Sequence, residues 1–275
     1  MTTPSAAVVG YPLRRTLSPR LFRALSAALG RPLCYRALKI PPTALCAAFQ
    51  KAQAAAPIGW NITMPHKVSV LGYLDDMHTS ARNAGAANVI HFTSAGAVGY
   101  NTDSEAFLAP LIRFGIRLRG RRALVLGSGG AARAVCAALA EAGIGELWIA
   151  NRSLPKAREL ARRFAGRAET LGQSFLTQAV ASADLIVNAT PVGSDGRLSL
   201  LPQGASLRRG AVAYDLLYRP AQTPFLKAAQ AGGAKTIGGL GMLVAQAAAT
   251  WRIWFREKVP GALARRLEQE LTQLP

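Results

Sequence analysis

The sequence predicts an α/β fold of two units, each built around a mostly parallel sheet. Three observations carry this expectation. The first hundred residues alternate short apolar runs with helical spacing, a β-α-β-α-β pattern that lays helices on the faces of a parallel sheet. In the middle, Leu124-Val-Leu-Gly127-Ser128-Gly129-Gly130-Ala131-Ala132-Arg133 reads as buried strand, tight glycine turn and helix. The chain is 275 residues long and 50% hydrophobic, enough for one large domain or two modest ones, and the segments on either side of the glycine turn read as a second unit.

Taken in order, Ala6–Gly10 is a short strand that Gly10-Tyr-Pro12 ends. Ser18-Pro19 opens a helix, with Ser18 as N-cap and Pro19 in the first helical position. Leu21, Leu25 and Leu29 recur every fourth residue and Gly30 closes that helix. Cys34–Ile40 is a second strand. Pro42 starts a helix whose buried face holds Leu45, Phe49 and Ala52, and Ile58–Ile62 is a third strand. In Asn61-Ile-Thr63-Met-Pro65-His66-Lys67 a strand ends and a helix begins at Pro65. Lys67 in that first turn opposes the helix dipole, so it reads either as an exposed lysine or as one placed for chemistry. Gly85–Phe92 is a strand, Ser94-Ala-Gly96 turns it, and Ala97–Tyr100 pairs back. Asn101-Thr-Asp103 then precedes a helix over Ser104–Phe114, with Thr102 and Asp103 both candidates to cap it.

The central turn fits Gly127-x-Gly129-x-x-Ala132, a dinucleotide-binding pattern. Glycine lets backbone N–H groups approach a pyrophosphate, and the following helix N-terminus favours the anion. Glu146–Ala150 is the next strand. At its end, where an NAD site places an acid for the ribose hydroxyls, stands Asn151-Arg152-Ser153-Leu-Pro-Lys156. Arg152 and Lys156 suit a 2′-phosphate, which favours NADP over NAD. Asp184–Pro191 is a further β segment that ends in polar residues, and Ala211–Tyr218 is another. Asn188, Thr190, Asp215 and Tyr218 follow the carboxyl ends, where ligands of open α/β sheets lie. Pro224–Ala231 is a helix, Thr236–Met242 a second flexible turn, and Leu243–Arg256 a helix with Trp251, Trp254 and Phe255 toward the core. Pro260 begins a final, surface helix.

Composition narrows the function. Lys and Arg number 33 against 14 acids, a net charge of +19. The basic residues are scattered, with short clusters at 117–122 and 152–167, and none interleaves with aromatics; anionic small molecules fit this better than nucleic acid. Cys34, Cys46 and Cys136 form no Cys-x-x-Cys pair, and His66, His78 and His91 have no metal-ligand spacing. No disulfide framework or metal site is expected, and a reducing cytoplasm fits. With no signal-like start and no long apolar run, the expectation is a soluble, unexported chain without a membrane partner.

Together these pieces resemble the shikimate dehydrogenase family over nearly the whole chain. Gly10-x-Pro12 and Thr16-x-Ser18-Pro19 look like its carboxylate-binding segment, and Asn61-x-Thr63-x-Pro65-x-Lys67 like its catalytic-lysine motif. Gly85-Ala-x-Asn88, Asn101-Thr-Asp103, the glycine turn, Asn151-Arg152-Ser153, Asn188-Ala-Thr190-Pro191, Asp215-Leu216-x-Tyr218-x-Pro220 and Gly239-x-Gly241-Met242-Leu243-x-x-Gln246 complete the match.

The resemblance implies a substrate domain over 1–103 completed by 240–275, and a Rossmann-type NADP domain over 104–239, closing around an active site between them. It implies reversible reduction of 3-dehydroshikimate by NADPH in aromatic amino acid biosynthesis. Lys67 and Asp103 are then the acid/base pair. Thr16 and Ser18 hold the substrate carboxylate, and Asn61, Thr63, Asn88, Tyr218 and Gln246 the ring hydroxyls. The cofactor falls to Gly127, Ser128, Gly129, Gly130, Ala131, Asn151, Arg152, Ser153, Lys156, Thr190, Leu216 and Gly239. A monomer or homodimer is expected. Two departures stand out: Arg15-Thr16 where the family usually has His-Ser, and Gly238 where it usually has Asp. The first leaves quinate or an amino analogue as alternative substrates. A ligand sensor without turnover is the reading from another class, and the presence of both Lys67 and Asp103 speaks against it.

Overall fold

The computed structural model describes residues 3–13 and 16–273. Their contacts divide the chain into Met1–Ala106 with Val244–Pro275, and Phe107–Leu243. Among the described residues the strands form two six-stranded sheets.

In the first unit the order is β2 (Cys34–Lys39), β1 (Ser5–Gly10), β3 (Gly59–Ile62), β5 (Val89–Thr93), β6 (Gly96–Tyr100) and β4 (Asp76–Met77). The β2-β1-β3 side is parallel, as the β-α-β-α-β pattern requires, with α1 (Ser18–Ala28) and α2 (Leu45–Ala55) as crossovers. On the other side β3 pairs antiparallel with β5, and the tight turn at Ser94–Gly96 makes β5 and β6 an antiparallel hairpin. Val9, Phe49, Trp60, Ile62 and Ile90 share one core, in which Phe49 meets Trp60 edge-on with ring centroids 6.1 Å apart. The one-turn α3 (His66–Ser69) and α4 (Thr79–Ala84) follow their strands, and α5 (Asp103–Arg113) begins in this unit while most of its residues belong to the second. This unit is completed by most of α10 (Leu240–Phe255) and by α11 (Gly261–Thr272), whose Leu267 and Leu271 are buried while Arg266 and Glu270 pair outward.

The second unit's strands are all parallel, in the order β12 (Lys235–Ile237), β11 (Val212–Asp215), β10 (Leu185–Asn188), β7 (Arg122–Leu126), β8 (Glu146–Ala150) and β9 (Ala168–Leu171). Numbered from β7, this is the doubly wound order 3-2-1-4-5-6, whose direction reverses beside the first strand. The glycine turn leaves that strand and enters α6 (Gly130–Glu141), and α7 (Leu154–Arg162) follows β8. Here α8 (Leu176–Ser182) and α9 (Pro224–Ala231) flank the sheet; Phe225 and Leu226 of α9 pack on Leu124, Ile186 and Ala213.

Several local expectations change. Ser18 is inside α1, not its cap: Leu17 is already helical (φ −88°, ψ −8°), and the Ser18 N–H donates to Thr16 Oγ1 at 3.3 Å. The strand expected from Gly85 starts at Val89, because Gly85 is the left-handed end of α4 (φ +60°). The span 236–242 is not a flexible turn; Thr236–Ile237 pair in β12 and α10 begins at Leu240. The elements β4, α4, β9 and α8 carry too few apolar residues at regular spacing to be read from the chain.

Candidate active site

The Lys67–Asp103 pair is built by short local devices. α3 is a single turn, so the dipole argument about Lys67 lapses. What fixes α3 is a backbone bond from the Ala87 N–H to the Lys67 carbonyl, 2.8 Å long. At the start of α5 the capping role falls to neither Thr102 nor Asp103. The Asn101 carboxamide oxygen accepts from the N–H groups of Asp103 (3.1 Å) and Ser104 (3.3 Å). That leaves the Asp103 carboxylate free to face Lys67, and Nζ donates to Oδ2 at 2.5 Å with the side chains 15% and 6% exposed.

Asn88 braces this pair. Its Nδ2 donates to Asp103 Oδ1 (2.8 Å) and to Thr102 Oγ1 (2.9 Å), while its Oδ1 accepts from the Thr102 N–H at 2.7 Å. A buried ion pair costs desolvation that only good geometry and further hydrogen bonds offset, and Asn88 supplies those bonds. The Lys67 Nζ is thereby held against one oxygen of a braced carboxylate.

The other residues expected at the substrate gather in the same unit, Tyr218 excepted. The Thr16 hydroxyl donates to Ser18 Oγ at 3.3 Å, so two hydroxyls converge at the start of α1. Arg15 lies outside the described residues. Asn61 is the next-to-last residue of β3 and is buried, 5% exposed; Thr63 and Gln246 are half-buried. The Gln246 carbonyl accepts from Thr250 Oγ1 at 2.8 Å and Thr102 Oγ1 at 3.4 Å. Tyr218, half-buried after β11, belongs to the other unit.

In the second unit, Gly127 has φ +117°, and a Cβ there would press on Ala189 O and Thr190 Cγ2, both at 3.1 Å. Gly129 is exposed and a Cβ there would meet nothing within 4 Å, so the turn is open on its outer side. Gly130 and Ala131 are the first two residues of α6, whose leading N–H groups have no partner inside the helix. A glycine bend with positive φ, open space above it and helix N–H groups beyond it fits a dinucleotide pyrophosphate. Ser128 is half-buried within this bend.

At the end of β8, Asn151 Nδ2 donates to the Ser153 carbonyl at 3.0 Å and shapes a bend that leaves Arg152 and Lys156 exposed. The first turn of α7 holds no acid, so these cations meet no repulsion toward a phosphate. Gly239 is required because any side chain would strike the Leu216 carbonyl, whose residue is tied by its N–H to Asn188 O at 3.0 Å.

Asn188 and Asp215 depart from expectation. Both are fully buried and bond inward. Asp215 accepts from Thr223 Oγ1 (2.6 Å), the Leu217 N–H (3.0 Å) and Asn188 Nδ2 (3.0 Å). Burial pushes its carboxyl above the ordinary range, and those three donors oppose the shift. The pair shapes the loops after β10 and β11; Thr190 is held there through Asn188 Oδ1 at 2.8 Å.

A doubly wound sheet with an anion-accepting glycine turn, in one chain with a braced lysine–carboxylate pair, defines a dinucleotide-dependent oxidoreductase. Residues 8–90 match the shikimate dehydrogenase substrate binding domain, and residues 111–194 match shikimate / quinate 5-dehydrogenase. The chain belongs to the shikimate dehydrogenase family. It is 40% identical over 262 residues to a shikimate dehydrogenase (NADP(+)) of Symbiobacterium thermophilum, covering 92% of this chain and 89% of that one. Shikimate 5-dehydrogenase of Thermus thermophilus, solved with NADP(H) and shikimate, superposes with a TM-score of 0.86 at 36% identity, over 97% of this chain and 99% of that one. The fold also serves another reaction: a Gluconobacter 5-ketofructose reductase has a TM-score of 0.83 at 30% identity, over 98% and 99% of the two chains.

Proposed function

We propose that this protein is an NADP-dependent shikimate dehydrogenase that reversibly reduces 3-dehydroshikimate to shikimate in aromatic amino acid biosynthesis. The single observation that carries the proposal is the Lys67 Nζ–Asp103 Oδ2 contact of 2.5 Å, in a chain whose family relatives bear that activity. NADPH, when bound, supplies the hydride. Lys67 delivers a proton to the carbonyl oxygen as that carbon gains hydride, so ketone becomes secondary alcohol. Asp103 holds Nζ on the proton-transfer line, and solvent restores the Lys67 proton. In oxidation, Lys67 as the amine takes the hydroxyl proton.

Thr16 and Ser18 offer hydroxyl donors to the substrate carboxylate. Asn61, Thr63, Tyr218 and Gln246 pair with ring hydroxyls; Asn88, with its amide hydrogens committed to Asp103 and Thr102, contributes through Asp103 and by its remaining Oδ1 lone pair. Neutral groups suit a polyol, because a wrong hydroxyl pattern leaves buried donors unpaired. On the cofactor side Gly127 to Ala131 hold the pyrophosphate, Asn151, Arg152, Ser153 and Lys156 the 2′-phosphate end, and Thr190, Leu216 and Gly239 the remaining backbone face. The substrate domain is assigned to 1–103 with 240–275 and the cofactor domain to 104–239, bounds that lie close to the contact division of the chain at Ala106 and Leu243.

The protein works in the cytoplasm, as a monomer or homodimer, without nucleic-acid or membrane partners. Three unpaired cysteines support a reducing compartment, and light scattering on the purified chain reads the assembly state. The activity is tested by NADPH formation with a panel of shikimate, quinate and an amino analogue. Highest kcat/KM on shikimate is expected; a preference for quinate, to which Thr16 beside Arg15 would contribute, reassigns the substrate but not the reaction. Absence of NADPH formation with every panel member overturns the proposal.

A further inference from the structure

Two residues outside every motif read from the sequence, Tyr35 and Thr250, hold the amide of Asn61. Tyr35 lies on β2 and Thr250 on α10, so neither is near Asn61 in the chain. The Tyr35 hydroxyl donates to Asn61 Oδ1 at 2.8 Å, and Asn61 Nδ2 donates to Thr250 Oγ1 at 3.1 Å. The Tyr35 ring is itself clamped, stacked on Phe22 with centroids 4.3 Å apart and planes within 4°.

The directions of these bonds follow from counting hydrogens. A threonine hydroxyl has one hydrogen, and Thr250 spends it on the Gln246 carbonyl at 2.8 Å. Its oxygen can therefore only accept from Asn61, which places the Asn61 nitrogen on the α10 side. The Asn61 oxygen then faces β2, where Tyr35 must donate. The chain of bonds Tyr35 to Asn61 to Thr250 to the helix carbonyl runs one way, and a flipped amide would break it at both ends. With Asn61 only 5% exposed, those broken bonds are costly to leave unmade. Left over on Asn61 are one N–H and one Oδ1 lone pair, one donor and one acceptor of fixed orientation.

We infer that Tyr35 and Thr250 are positioning residues that set the hydrogen-bond polarity of Asn61 toward a substrate hydroxyl, and so contribute to discrimination among cyclic polyols. This rests on the proposed role of Asn61 in the reaction above. The bonds that Tyr35 and Thr250 make here reach Asn61 and the Gln246 carbonyl, so both residues act through Asn61.

The test uses the full-length enzyme and its best substrate from the panel. Tyr35→Phe keeps the ring stack on Phe22 and removes the hydroxyl that donates to Asn61. It should raise substrate KM about three- to ten-fold, the worth of one neutral hydrogen bond, with kcat within about two-fold and KM for NADP unchanged. Thr250→Val should do the same, and Thr250→Ser, which restores the hydroxyl, should recover the parent KM. In an Asn61→Ala background, Tyr35→Phe should add nothing further. An undiminished Tyr35→Phe effect in that background, or a parent KM in Tyr35→Phe itself, overturns the inference. Equal losses in Thr250→Ser and Thr250→Val also overturn it, as does a rise in KM for NADP that matches the rise for substrate. If the parent enzyme oxidises no panel member, the functional proposal has failed, and the inference, which is built on it, fails with it.

Discussion

The two units solve their binding problems with different parts of the chain. In the first, buried and half-buried polar side chains bond to one another: Lys67, Asp103, Asn88 and Thr102 form one network, and Tyr35, Asn61 and Thr250 another. In the second, the candidate anion site is main chain and missing side chains at Gly127 and Gly129, with exposed Arg152 and Lys156 beyond. Its buried polar pair, Asn188 and Asp215, bonds inward and shapes loops. The difference follows from chemistry. Proton transfer needs an atom held to a few tenths of an ångström, which packing and mutual hydrogen bonds supply. A pyrophosphate needs several weak donors and room, which a backbone turn supplies without any side chain.

If that contrast is right, the largest loss comes from the first unit's network. Asp103→Asn keeps shape and removes the charge that holds Nζ, and kcat should fall by about 10²- to 10⁴-fold with KM for NADP nearly unchanged. Wild-type kcat in this variant breaks the comparison at its strongest point. Gly127→Val should come next. A branched side chain at φ +117°, against the Ala189 carbonyl, weakens NADP binding and costs about 1–3 kcal/mol in strain, read by calorimetry and cofactor titration.

Arg152→Ala should raise KM for NADP about ten-fold and leave KM for NAD unchanged, since an exposed cation contributes only through the 2′-phosphate. Equal effects on the two cofactors assign Arg152 no part in reading that phosphate.

The smallest effect tests the inward-facing pair. The Asp215 carboxyl is held above its ordinary value by burial, so the folded state binds its proton more tightly than the unfolded state does. Stability from this group is fully present below the unfolded value of 3.8 and is lost as pH rises through the higher folded value. Asp215→Asn should flatten that decline in urea unfolding over the mildly acidic range. An unchanged slope means Asp215 keeps its ordinary titration.

Much of this was legible in the chain because it is local. Strand-turn-helix at Leu124–Arg133, the helix Pro224–Ala231 and the parallel β1-β2-β3 arrangement follow from spacing, glycine placement and short connections. The identity of Lys67 and Asp103 came from motif order. What spacing misjudged was hydrogen-bond ownership: Asn101, not Thr102 or Asp103, caps α5, and Thr16, not Ser18, serves α1. An asparagine two residues before the helix was the available signal.

The sequence by itself determined the α/β class, the strand–glycine turn–helix element and the residue types available for acid/base work. These are properties of neighbours along the backbone, where sterics and periodicity act. Only the tertiary structure decided which partner each polar group spends its hydrogens on. Lys67 meets a carboxylate 36 residues away, and Asn61 meets a threonine 189 residues away. Such pairings are chosen by packing, because a buried donor must bond to whatever acceptor the fold brings within reach.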